Sequence, residues 1–131
     1  MSSYLHSRHF SVDEAQALLE SILPEIKQLA DLKTALDAKG FDIYKHQYYG
    51  GMGPNGDRFF PDELEKLVEI AKDFEEKGLI IKSLNEGLID FPHIRSNKEE
   101  VYLCWKLGED RIGYWHSLSA GFAGRKPLSG L

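Results

Sequence analysis

A change of period at Gly78 constrains the fold of this chain more than any other feature. Before it, apolar residues recur at helical spacing; after it, they alternate in short runs separated by tight turns. Helices first and strands afterwards argue for an α+β fold rather than the interleaved order of an α/β domain. At 131 residues the chain reads as a single domain, 1–131, large enough for its own core.

The helical part opens on a capping box, Ser11-Val12-Asp13-Glu14. Apolar residues follow at Ala15, Leu18, Leu19, Ile22, Ile26, Leu29, Leu32 and Leu36. Ala15, Ile22, Leu29, Leu36 and Ile43 also fall seven apart, as along one seam of a coiled coil. That seam passes through Gly40 and predicts a helix continuing to about Tyr48. Pro24 has no amide for the Glu20 carbonyl, which predicts a bend there. The glycine-rich run 50–57, GGMGPNGD, lacks a Lys-Ser/Thr ending and a preceding strand. It is a tip between helices rather than a phosphate loop. A second helix starts at Pro61-Asp62-Glu63, carries Leu64, Leu67, Val68, Ala71 and Phe74 on one face, and stops at Gly78. Residues 11–77 thus form a long, bent antiparallel hairpin, packed at its base on a small sheet.

About four antiparallel strands follow within 79–116, near 79–84, 88–94, 101–107 and 112–116. The tail, 117–131, is too rich in glycine for regular structure. Loop parity decides which side chains share a face. With even loops centred on Asn97-Lys98 and Glu109-Asp110, Trp105 lies opposite both Asp90 and Tyr114, and Leu103 opposite Pro92 and His116. Asp90, Trp105, Tyr114 and His116 then line one face, with Asp90 and His116 as diagonal neighbours. An odd first loop sets Asp90 opposite Cys104 and moves Ile89 and Phe91 to the side of Trp105. That version gives the cleaner apolar alternation, so both registers stay open.

The polar residues of this region carry the candidate chemistry. His116 suits a metal ligand or general base, because imidazole titrates near neutrality; its plainer role is a bond to the backbone. Asp90, between Ile89 and Phe91, would be a second ligand, or the partner of Arg95 or Arg125, since a buried carboxylate must be paired. A metal site takes three or four protein ligands, so His93, Glu99 or Glu109 would complete the set. Trp105 and Tyr114 would stack on a planar ligand, or belong to the core. Arg125 would hold an anion bidentately, or clamp the tail to Asp90 or Glu109. Cys104, the single cysteine, lies in VYLCW; it reads as a buried, reduced thiol rather than a nucleophile. His6 and His9 precede the helix cap and have metal-ligand spacing only if helical.

Composition excludes several classes. A net charge of −5 leaves no basic face for nucleic acid. No apolar run approaches the ~18 residues of a membrane span. MSSYLHSRHF lacks the apolar centre of a signal peptide, so a cytoplasmic location is expected.

Several strings point to a family: GLIDFP, VYLCWKLGE, YWH and GFAGRKP, with Lys82-Ser83-Leu84 before Gly87. Phe10-Ser11-Val12-Asp13-Glu14-Ala15 matches an opening Phe-Ser/Thr-x-x-Glu-Ala pattern. Together they resemble the bacterial family catalogued as domain of unknown function 2203. The resemblance covers most of the chain and is weakest over 41–60. It implies no activity, cofactor or catalytic residue.

Two functional expectations follow. One is a metal- or small-ligand-binding domain, an enzyme or not, with its site where sheet, tail and first helix meet. Asp90 and His116 would hold a divalent metal, Trp105 and Tyr114 would be walls, and Arg125 the anion contact. The other is an interaction module without catalysis, whose hairpin pairs with a second copy as a homodimer or with another protein.

Overall fold

A computed structural model of the chain describes residues 4–41 and 62–131. Helix α1, Val12–Ala38, begins where its capping residues dictate. The Glu14 amide donates to Ser11 Oγ at 3.0 Å, and the Ser11 amide donates to Glu14 Oε1 at 2.8 Å. The helix passes through Pro24 and ends at Ala38, earlier than the seven-residue seam predicts. Gly40 takes φ +74 and the Phe41 amide returns to the Leu36 carbonyl at 2.9 Å. A glycine in the left-handed region turns the chain off the helix axis, and this local stop wins over apolar spacing. The expected extension over 42–48, the tip at 50–57 and Pro61 lie outside the described residues.

Helix α2, Asp62–Lys77, runs back along α1. Lys39, just past the end of α1, reaches Glu63 in the first turn of α2 at 2.7 Å. Gly78 ends α2 with φ +93, as the sequence predicts. The seam residues Ala15, Ile22, Leu29 and Leu36 are all buried in this chain's own core. Among the described residues, no large apolar side chain of either helix is exposed, though Leu18, Leu23, Leu32 and Val68 are partly so.

Five strands make one antiparallel sheet in chain order. They are β1 (Ile80–Ser83), β2 (Leu88–Ile94), β3 (Glu100–Lys106), β4 (Tyr114–Ser117) and β5 (Lys126–Pro127). The first four lie close to their expected places. The fifth corrects the expectation for the tail: Tyr114 pairs with Pro127 and Trp115 with Lys126, between 3-10 turns at Phe122–Gly124 and Leu128–Gly130. Two residues of pairing need a partner edge more than intrinsic propensity, and β4 supplies it.

One face of the sheet carries Ile89, Phe91, Val101, Leu103, Trp105 and Trp115. They form a single buried cluster with Leu19, Ile22 and Ile26 of α1 and with Leu67, Ile70 and Phe74 of α2. Each such side chain stabilises the fold by roughly 1.5–3 kcal/mol through its removal from water. This is an α+β architecture in which the helical hairpin covers one side of the strands and leaves the other for different work.

Candidate metal centre

Both inner hairpins have the odd register. Asp90 pairs with Cys104 and Pro92 with Tyr102 across β2 and β3. Tyr102 in turn faces His116, and Cys104 faces Tyr114, across β3 and β4. Each pairing is displaced by one residue along β3 from the even-loop arrangement, in the same sense, so the displacements cancel between β2 and β4. Asp90 and His116 do meet, but over Cys104 rather than Trp105.

The first turn shows how the odd register arises. Lys98 adopts φ +74, its amide donates to the Arg95 carbonyl at 2.9 Å, and the Arg95 amide donates to the Glu99 carbonyl at 2.8 Å. A left-handed residue after a tight turn adds the extra position that makes the loop odd. In the second hairpin the Lys106 amide donates to Glu109 Oε1 at 2.8 Å, and the Glu109 amide donates to the Lys106 carbonyl at 3.0 Å.

His116 Nε2 lies 3.0 Å from Asp90 Oδ2, and His116 Nδ1 lies 2.7 Å from the Ser117 carbonyl. Both ring nitrogens lie within hydrogen-bond distance of oxygen atoms. Burial opposes a charge on the ring, but the bonds to Asp90 and to the Ser117 carbonyl outweigh it and raise the His116 pKa above its ordinary value. One nitrogen, one carboxylate oxygen and Cys104 Sγ lie within 4.8 Å of one another. Asp90, Cys104 and His116 are 1%, 0% and 1% exposed. Among the described residues, buried Asp90 Oδ1 finds no N–H or O–H partner. Burial, reinforced by the Asp90 carboxylate, pushes the Cys104 thiol up to about 12. It is therefore no free nucleophile at neutral pH.

Two segments from the ends of the chain meet this face. Arg125 lies with its Cζ 4.0 Å from the Tyr114 ring centroid and 4.1 Å from that of Phe122. It donates to Glu109 at 3.0 Å and also contacts Cys104. On the other side, His6 Nε2 is 2.6 Å from the Tyr102 hydroxyl, and the Tyr102 ring is tilted against His116 at 5.4 Å. Glu100 holds that N-terminal segment: it accepts from the Leu5 and His6 amides at 2.7 and 3.0 Å and meets His9 Nε2 at 2.7 Å. Burial works against the charged Glu100, yet the His9 and amide bonds keep its pKa below the usual carboxylate value.

The structure brings Asp90, His116, Tyr114 and Arg125 to one face and sends Trp105 to the other. Trp105 packs in the helix-covered core and donates Nε1 to the Glu109 carbonyl at 3.1 Å. It cannot wall a ligand held by Asp90 and His116. The residues expected to complete a ligand set are occupied elsewhere. His93 Nδ1 donates to the Phe10 carbonyl at 2.7 Å, Glu99 pairs with Arg95 at 2.7 Å, and Glu109 pairs with Arg125 at 3.0 Å. Neither Arg95 nor Arg125 pairs with Asp90; His116 does. The third donor is Cys104, which sequence reasoning missed as a ligand. Its one signal was the odd first loop, which sets it directly opposite Asp90.

Among the described residues no helix is long and apolar enough to cross a membrane. A family model described as "Uncharacterized conserved protein (DUF2203)" matches residues 8–128. No curated protein and no solved structure matches the chain. The chain belongs to the DUF2203 family.

Proposed function

We propose that this DUF2203 protein binds a divalent transition-metal ion, of the zinc type, through Asp90, Cys104 and His116. The carrying observation is the convergence of three different donor atoms within 4.8 Å, all buried. Oxygen, sulfur and nitrogen together select a borderline-soft cation over magnesium or calcium, which take oxygen alone. Tetrahedral bonds of ~2.0–2.3 Å set donors roughly 3.3–3.8 Å apart, inside the 4.8 Å span of the cluster.

Three further features support the reading. Among the described residues Asp90 Oδ1 finds no N–H or O–H donor, and the thiol of Cys104 is the group that bonds this carboxylate besides His116. The Ser117 carbonyl fixes His116 through Nδ1, as backbone carbonyls commonly orient metal-ligating histidines, and so aims Nε2 at the cluster. The Cys104 thiol is inert by itself, and a bound cation is the agent that deprotonates a buried thiol. In place of the proton between Asp90 and His116 the ion would join all three side chains. Three protein ligands leave one position for water or another ligand, the arrangement of reactive rather than purely structural zinc sites.

Calorimetric titration of chelator-treated full chain with Zn2+ tests this. One ion per chain is expected, with roughly 2.7 kcal/mol of added stability at a hundredfold excess over Kd. Cys104→Ser should weaken binding by at least ~100-fold and abolish the thiolate-to-metal absorption of the cobalt-substituted protein. Absence of stoichiometric uptake, or equal affinity in the serine variant, overturns the proposal and leaves a buried ion pair.

A further inference from the structure

We infer that the fourth position of this centre takes an organic oxyanion, one oxygen on the ion and another on Arg125, with its apolar body against Tyr114 and Phe122. This rests on the metal reading above and extends it to a ligand class.

The geometry begins at Arg125. Its guanidinium carbon lies 4.0 and 4.1 Å from the Tyr114 and Phe122 ring centroids, and Glu109 engages Nη1 at 3.0 Å. Two ring contacts and a carboxylate at one corner restrain the group, so its remaining N–H donors are restricted in direction. Arg125 also contacts Cys104. With an ion-to-sulfur bond of ~2.3 Å, the guanidinium comes within about 6 Å of the ion. A carboxylate or phosphate bridges that span, with one oxygen ~2.0–2.2 Å from the ion and another ~2.7–2.9 Å from an arginine nitrogen.

Charge points the same way. The Asp90 carboxylate and Cys104 thiolate would balance a divalent ion, and Glu109 balances Arg125. Lys82, which acts electrostatically on His116, adds a cation to this face, while Lys106, 5.5 Å from the Phe122 ring centroid, is paired with Glu86 at 3.8 Å. Arg125 and Lys82 disfavour an amine beside the ion. Tyr114 and Phe122 are 37% and 41% exposed. Their rings, already stacked on the cation, give an apolar lip beside it, suited to a ligand that is anionic at one end and apolar at the other.

The test uses the full chain saturated with cobalt and titrated with benzoate and with phenyl phosphate, following the metal spectrum. At least one probe should perturb it and bind about tenfold more weakly to Arg125→Gln. The ring-free counterparts, acetate and inorganic phosphate, should bind about tenfold more weakly than the ringed probes. Arg125→Lys keeps the charge without the planar fork and should weaken binding roughly threefold or more; it serves if the glutamine variant does not fold. A loaded chain indifferent to both ringed probes, or equal affinities in folded variants, overturns this inference alone. A chain that takes up neither zinc nor cobalt overturns the metal reading as well.

Discussion

On one side of β2, β3 and β4, Ile89, Phe91, Leu103, Trp105 and Trp115 pack against the two helices. On the other, Asp90, Tyr102, Cys104 and His116 are as deeply buried, but beside His6 and Arg125 from the two ends of the chain. The first face is held by area, which is non-directional and tolerates exchange of one apolar shape for another. The second is held by named partners at fixed distances, where each atom must find its counterpart or be left uncompensated. The same three strands therefore present one surface packed by apolar area and one held by specific polar contacts.

The largest expected effect falls on the apolar side. Phe91 is fully buried and meets Phe10 edge-on at 5.7 Å. Phe91→Ala should cost about 3–5 kcal/mol in urea unfolding, through lost transfer energy and the cavity left behind. A value near zero would erase the contrast between the faces.

Next comes the buried pair. In metal-free protein, Asp90→Ala leaves His116 without its counter-ion and should cost about 3 kcal/mol or more. Replacing both residues by leucine should cost less than that single change, because no buried charge remains. If the double variant is instead the less stable one, the pair is a stabilising element and the contrast is weaker than drawn here.

The smallest effect is at the N-terminal segment. Glu100→Gln should cost about 1.5–2 kcal/mol by weakening three charge-assisted bonds. The sign with pH follows from the lowered pKa of Glu100. Its contribution is complete above the unfolded value of about 4.5 and is lost as pH falls through the lower folded value. Stability measured from about pH 6 down to pH 3 should show that loss in the native chain and lack this component in Glu100→Gln. Identical profiles would remove Glu100 as the clasp.

Local chemistry was legible in the chain and non-local geometry much less so. Ser11 and Glu14 announce the start of α1 because the capping bonds join residues three apart. Gly78 ends α2 for an equally local reason. Gly40 was misjudged because apolar spacing, a weaker cue, was allowed to run through it. Loop parity stayed open at the first hairpin, since a lysine seldom takes positive φ and the sequence offers no glycine at Lys98; the structure has the odd alternative, Asp90 opposite Cys104. Cys104 went unseen as a ligand because only the register links it to Asp90. Asp90 and His116 still meet because the second loop is odd as well, which restores the relation that an odd first loop alone would undo. Trp105 belongs beside them only in the even register, which the structure does not have.

The central strand thus behaves like an interchangeable cartridge between two flanking rails. A concerted slide of β3 by one residue would keep the acid and the imidazole side by side while exchanging sulfur for an indole between them. A single-residue insertion in one flanking loop with a deletion in the other would thus move Cys104 away together with Tyr102 and Glu100, while Asp90 and His116 stay in place.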